Sequence, residues 1–500
     1  MCGLGHTPNE GEILVAVDRL TGLDASFLHL ERDGAHMHVA STIIFDGPAP
    51  GYDEFREHLE ARLHLVPRFR QKLAFVPWNQ GRPVWVDDPH LNLDYHIRHT
   101  ALPSPGSEEQ LRNFAARAFS QGLDRSKPLW ELWLVDGLCD DRFAIVTKSH
   151  HCLVDGVSGA DITAVLYDTA PEPTPIEPAP PWTPRPEPSG SELLASALLE
   201  RATEPAEVLR GVRALVRGPR QALTAVRDAV EAAGSIAGRG LAAPESPLNA
   251  EIGPHRRFAW VRAGLPAVRR IKDVHGGTVN DVILSVVAGA LGRHLRALGH
   301  PTDELELMAM VPVSIRAEEA HGALGNQVSA MMAPLPVWCE DPVERLHIMS
   351  DRMGDLKHSK QAVGANLLSE LSDFAPPTIA SQAARLQSRQ RFFNLVVTNV
   401  PGPQFPLYAL GRQMRDLFPM VPLAKRQAMC VGIMSYNGAI NFGLIGDYVA
   451  MATLDDLAAD LEAVLEELAA TAGVEGEALV AAQIPSGTSR EPRSRKPISG

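Results

Sequence analysis

Hydrophobic residues follow two periods along this chain, and each change of period marks an element. VASTIIFDG, residues 39–47, is rich in β-branched side chains and predicts a strand. YDEFREHLEARLHLVP, residues 52–67, places Phe55, Leu59, Leu63 and Val66 at helical spacing, and Pro67 closes the pattern. LWELWLVDGL at 129–138 and RFAIVTKSH at 142–150 predict paired strands, with DGLCDD as their turn. These elements make residues 1–170 one α/β unit.

Periodicity then stops. APEPTPIEPAPPWTPRPEP, residues 170–188, is a proline-rich linker, too stiff and too poor in core residues to fold alone. Residues 191–235 return to a helical pattern, with Thr203 as N-cap, Pro205 in the first turn, and a kink or break at Gly218-Pro219. Arg210, Arg213, Arg217 and Arg220 fall at steps of three and four and share a helical face. A second α/β unit covers 255–472, after a linker-plus-helix segment at 171–254. Its pattern predicts a helix over 276–299, entered through Thr278 or Asn280, and strand-like runs at 306–316 and 391–403. Residues 427–446 carry no charge over a length that could span a bilayer. Asn437-Gly438 in their middle predicts two buried strands and a tight hairpin instead. Residues 473–500 form a polar, proline-containing tail that is expected to be disordered.

Composition narrows the class. With 45% hydrophobic and 21% charged residues in 500, the chain reads as globular. A net charge of −13 disfavours general nucleic-acid binding. The five cysteines, Cys2, Cys139, Cys152, Cys339 and Cys430, are odd in number and never spaced CxxC. That argues against a disulfide framework and a structural zinc site, and for a reducing, cytoplasmic setting. The N-terminal stretch has no basic start followed by an apolar core, so no secretory signal is expected.

Chemistry concentrates in SHHCLVDGVSG, residues 149–159. A strand delivers His150 and His151 to its end, and adjacent strand residues point to opposite faces. Only one imidazole can therefore face a given cleft, which weakens a two-histidine metal site and suits a single base with a supporting neighbour. Asp155-Gly156 reads as a turn, with Gly156 free to take positive φ and Asp155 able to tie the loop or pair with an arginine.

HHxxxDG resembles the signature of the coenzyme-A-dependent acyltransferase superfamily. Its surroundings resemble, more narrowly, the bacterial wax ester synthase / diacylglycerol acyltransferase family. These are LTGLDASFLHLE (20–31), MHVASTIIFDGP (37–48), KPLWELWLVDGL (127–138), SPLNAEIGPHRRFAW (246–260), VNDVILSVVAGAL (279–291), MVPVSIR (310–316), LGNQVS (324–329), NVPGP (399–403) and SYNGAINFGLIGD (435–447). The similarity runs from about residue 20 to 470 in the family's order.

The resemblance implies a two-domain, chloramphenicol-acetyltransferase-like α/β fold with mixed sheets and an inter-domain tunnel. It implies that His151 is the general base and that acyl-CoA and a diacylglycerol or long-chain alcohol meet in a ternary complex. Acyl-CoA would be a co-substrate, with no cofactor or metal. Asn280 is the candidate oxyanion donor, with Asp281 organising that motif; a plain N-cap and first-turn acid are the alternative. Arg316 is a candidate partner for Asp155. Pro128, Leu129 and Trp130 have no proton-transfer group and are expected to shape core or pocket, and Asn399 is expected at the tunnel. No GxSxG nucleophile elbow is present. His255-Arg256-Arg257 and Lys425-Arg426 are candidates for CoA phosphates or, equally, a solvated surface. The arginine face either docks on anionic lipid, at a membrane or lipid droplet, or is solvated. The alternative function is a non-catalytic lipid-binding or droplet-surface protein of the same fold.

Overall fold

The computed structural model describes residues 18–31, 34–154, 166–173, 175, 177–200, 243–314, 328–358 and 392–474. In the first half these are α1 (Gly22–Leu30), β1 (His38–Asp46), α2 (Tyr52–Arg62), β2 (Gln71–Ala74), β3 (Val84–Asp87), α3 (Leu93–His96), β4 (Ile97–Ala101), α4 (Glu108–Ser120), β5 (Trp130–Leu138), β6 (Arg142–His150) and α5 (His151–Val154). The second half holds β7 (Arg256–Gly264), α6 (Leu265–His275), α7 (Val279–Ala297), β8 (Glu306–Ser314), β9 (Val328–Pro336) and α8 (Pro342–His358). It continues with β10 (Leu395–Pro401), β11 (Tyr408–Ala409), β12 (Arg412–Met420), β13 (Met429–Tyr436), β14 (Ala439–Asp447) and α9 (Leu454–Thr471).

Two six-stranded mixed sheets organise the molecule, in the orders β11-β12-β1-β6-β5-β4 and β7-β14-β13-β10-β8-β9. Each half buries its own core. In the first, Leu20, Phe45, Phe55, Trp130 and Phe143 pack together. In the second, the buried faces of α7 and α9 pack against the sheet through Val286, Leu291, Leu461 and Leu468. A third cluster is shared between the halves: Ile44, Phe119 and Trp133 meet Phe258, Trp260 and Phe418.

Most predicted elements form with small shifts at their ends. The strand at 39–47 appears as β1, and 129–150 as the antiparallel pair β5–β6. The helix from Tyr52 ends at Arg62 and passes into 3-10 turns at Leu63–Leu65 and Pro67–Arg70. Leu63 is still buried there, so helical spacing outlasts the α-helix by one turn. Residues 427–446 are two strands of one sheet. They turn through Asn437 (φ 43°) and Gly438 (φ 83°), the left-handed pair a tight hairpin requires. Among the described residues no single helix is long and apolar enough to cross a membrane.

Two features depart from chain order. β11 and β12 lie in the second half by sequence, yet β12 pairs antiparallel with β1 and completes the first sheet. The proline-rich linker is docked rather than free: Arg185 meets the Asp87 carboxylate at 3.2 Å, and Arg70 lies over Trp182. Beyond it, residues 190–200 are helical and lay Leu193 and Ala197 on Ala74 and Val84 of the small β2–β3 sheet and on Val76 of the loop between those strands. The arginine face at Arg210–Arg220, the kink at Gly218-Pro219 and the tail from residue 475 lie outside the described residues.

Candidate active site

β6 pairs with β1 along its whole length, so its last residue, His150, stands opposite His38. The strand ends there because His151 turns away to begin α5. The His150 backbone donates to Leu129 O at 2.9 Å and the His151 backbone to Met37 O at 2.8 Å, which fixes where the chain turns. The two imidazoles part company as expected, though by the change from strand to helix between them and not by alternation along one strand. His150 is 1% exposed, whereas His151 is half-buried, its ring stacked on Phe27 at 3.9 Å and 22°. Asp155 and Gly156 lie outside the described residues, as does Arg316.

His150 is held on both ring nitrogens. Its Nε2 meets Glu31 Oε2 at 3.2 Å, and its Nδ1 meets the Cys152 backbone N–H at 3.2 Å and the Cys152 thiol at 2.9 Å. Glu31 also meets Arg125 at 2.5 Å, His36 at 3.1 Å and His38 at 3.5 Å. Burial alone would raise the Glu31 carboxyl. Hydrogen bonds from His150, His36 and Arg125 overcome it and hold the group well below the usual carboxylate range. Burial, and then the Lys148 cation, push the His38 imidazole well below its ordinary value. Burial pushes the Cys152 thiol up, so the cysteine beside His151 is a neutral S–H and a poor nucleophile.

Pro128, Leu129 and Trp130 are core, one strand away from His150. Trp130 is stacked between Phe69 (4.8 Å) and His96 (4.5 Å) and donates its indole N–H to Phe69 O at 2.9 Å. Leu129 is fully buried.

The Asn280 motif forms a second group. Thr278 is the N-cap of α7, its hydroxyl accepting from the Asp281 backbone at 3.2 Å while Asp281 Oδ2 accepts from the Thr278 backbone at 2.8 Å. Asn280 is therefore not the cap. Asp281 is the reciprocal member of a capping box, the structural role left open for it. Asn280 Oδ1 instead accepts from Asn399 Nδ2 of β10 at 3.2 Å. Among the described residues no hydrogen bond engages the Asn280 NH2, which remains able to donate.

The arginine at the first of the two CoA-phosphate candidates is structural. Arg256 is buried and donates to Gly253 O at 2.6 Å, His255 O at 2.9 Å and Gly34 O. Arg257 donates to Tyr448 O at 2.9 Å. Lys425 and Arg426 are exposed. Glu31, His36 and His38 are the described residues whose ligand atoms cluster tightly enough, within 4.8 Å, to hold a metal ion. Reasoning from the motif missed Phe27, Glu31, His38 and Arg125. A signal for two of them exists: Phe27 and Glu31 are four apart, so they reach the same side at the end of α1.

Paired mixed sheets with an imidazole pair at the end of a strand define a two-domain acyltransferase fold of the CoA-dependent type. A mutant starter condensation domain of rhizomide synthetase RzmA, in complex with C8-CoA and Leu-SNAC, has the same fold, at a TM-score of 0.56 and 12% identity over 94% of this chain and 97% of that one. The chain belongs to the wax ester synthase/diacylglycerol acyltransferase family: residues 20–283 match its catalytic domain and 324–469 its C-terminal domain. It is 34% identical to a probable diacylglycerol O-acyltransferase of Mycobacterium tuberculosis H37Rv, over 91% of this chain and 96% of that protein. A wax ester synthase/diacylglycerol acyltransferase from Marinobacter aquaeolei VT8 superposes with a TM-score of 0.65 at 29% identity, covering 91% of this chain and all of that one. The protein is thus an acyltransferase.

Proposed function

We propose that this acyltransferase moves a long-chain acyl group from acyl-CoA to the hydroxyl of diacylglycerol, or of a long-chain alcohol, with His151 as general base. The observation that carries the reading is the division between the two histidines. His150 is buried, with Glu31 and Cys152 on its ring nitrogens, and His151 is half-buried with its ring on the Phe27 face at the start of a turn. His151 takes the hydroxyl proton, the oxygen attacks the thioester carbon, and the oxyanion accepts from the Asn280 NH2. The C–S bond then breaks, and the proton passes from His151 to the CoA sulfur. The buried, neutral Cys152 favours direct transfer in a ternary complex over an acyl-cysteine. The test is a radiolabelled acyl-CoA assay with diacylglycerol and hexadecanol offered separately. His151→Ala should lose roughly 100- to 10,000-fold in ester formation while remaining folded. Full activity in that variant overturns the mechanism.

We further propose that the small sheet and the adjoining helical run touch the surface of a membrane or lipid droplet, from which water-insoluble acceptors arrive. Trp78 is 80% exposed, and Phe75, Leu198 and Leu199 are exposed beside the packed residues of that unit. The Trp78→Ala, Phe75→Ser double variant should float less with phosphatidylglycerol vesicles. Equal flotation of variant and wild type would remove this surface from consideration.

A further inference from the structure

Glu31 is the C-cap residue of α1, and its two oxygens divide their work. Oε1 faces His36 (3.1 Å) and His38 (3.5 Å); Oε2 faces Arg125 (2.5 Å) and His150 (3.2 Å). Arg125 also donates to Leu28 O at 3.3 Å, which ties the carboxylate to the last turn of α1. An ionised carboxylate only accepts, so the His150 nitrogen that faces it must carry the hydrogen. In the neutral ring this leaves a lone pair on Nδ1. That lone pair receives the Cys152 backbone N–H at 3.2 Å and the thiol at 2.9 Å.

An acceptor placed just before a helical turn, taking the N–H of the residue two positions on, does the work of an N-cap. His150 thus caps the turn that carries His151. Phe27, from the same helix that ends in Glu31, packs on the His151 ring. One short helix therefore bears on both motif histidines: on one by packing, on the other by charge.

We propose that Glu31 is a positioning residue for acyl transfer. By fixing His150 as the Nε2–H tautomer, it keeps Nδ1 an acceptor for the His151–Val154 turn and so sets the aim of the His151 imidazole. The proposal rests on His151 being the base. Glu31 stays ionised through the neutral range because its hydrogen bonds outweigh its burial. Cys152 stays a thiol because it is buried, so it remains a donor to His150.

Glu31→Gln keeps the shape and changes the chemistry. Its amide NH2 can donate to His150 Nε2, which favours the Nδ1–H form and sets a ring hydrogen against the Cys152 N–H. The full chain, labelled with 15N-histidine, reads the tautomer directly, with the His150 signals assigned by their loss in His150→Ala. The native His150 should show Nε2–H, and Glu31→Gln should show Nδ1–H. The turnover number of Glu31→Gln should fall roughly 10- to 100-fold, as expected for a base displaced by about an ångström, with KM for acyl-CoA within about twofold. Glu31→Asp, which keeps the carboxylate, should retain the native tautomer and recover part of the rate.

A native His150 found as Nδ1–H overturns the proposal whatever the activities are. So does a Glu31→Gln enzyme with wild-type turnover. Loss of wild-type activity on chelation, restored by zinc, would also overturn it, by making Glu31, His36 and His38 a metal site. Should His151→Ala remain active while Glu31→Gln still switches the tautomer, the base assignment fails and the Glu31–His150 link stands.

Discussion

His58 shows how one buried imidazole couples this fold to pH. It lies on α2, with Arg62 one turn further on at 2.5 Å from its Nδ1, and Arg62 in turn holds Asp168 at 3.0 Å. Burial, and then the Arg62 cation, push His58 down to about 4. An unfolded histidine titrates near 6.5, so the unfolded chain takes up this proton first. Stability is therefore lost as pH falls from about 6.5 towards 4, by up to about 3 kcal/mol for this group. His38 acts in the same direction. The depressed carboxyl of Glu31 withdraws its contribution only below the ordinary carboxylate range. In urea melts, wild type should lose more stability between pH 6.5 and 4 than His58→Gln. Parallel pH slopes for the two proteins would exclude His58 as the cause. The cation is legible in the helix, since Arg62 follows His58 by one turn; the burial that dominates the shift comes from packing and is not.

At the scale of elements, local chemistry settled most boundaries. α7 starts at the capping box that Thr278 and Asp281 form between them. Asn437-Gly438 supplies two left-handed residues in succession, which few other pairs tolerate, so the β13–β14 hairpin was legible from two letters. The His150/His151 division was expected from strand alternation, but it arises where the strand ends: His150 is the last residue of β6 and His151 the first of α5. The competition between Thr278 and Asn280 for the cap was not decidable from type, since both can cap. It was settled by Asn399, which draws Asn280 towards β10 across 119 residues of chain. Trp130 likewise reads as core from its strand, but the Phe69 and His96 rings that sandwich it come from elsewhere. Arg256, read as either a phosphate ligand or a solvated cation, is neither for a related reason: cationic type was visible, whereas burial against three carbonyls was not.

The whole molecule is joined by a strand exchange and a charged strap. β12 leaves the second half to pair with β1, and on it Phe418 stacks on Trp260 of β7 at 4.4 Å. Beside that stack, Arg262 of β7 bonds Glu108 at 2.9 Å and Asp416 at 3.0 Å, and Arg142 meets the same Glu108 at 3.0 Å. Removing the shared cation should leave two partly buried carboxylates under-compensated. Arg262→Met is expected to lose about 1–3 kcal/mol of stability, read from the urea midpoint. An unchanged midpoint would mean the strap adds nothing to the aromatic stack. By itself the sequence determined the two α/β halves, the turns and an imidazole pair at the end of a strand, because period and turn chemistry act over a few residues. Only the tertiary structure decided that β12 completes the first sheet and that Glu31 meets His150, 119 positions away. A strand's sequence does not name its neighbour, and a carboxylate finds its imidazole only when sheet register and helix packing bring them within hydrogen-bond reach.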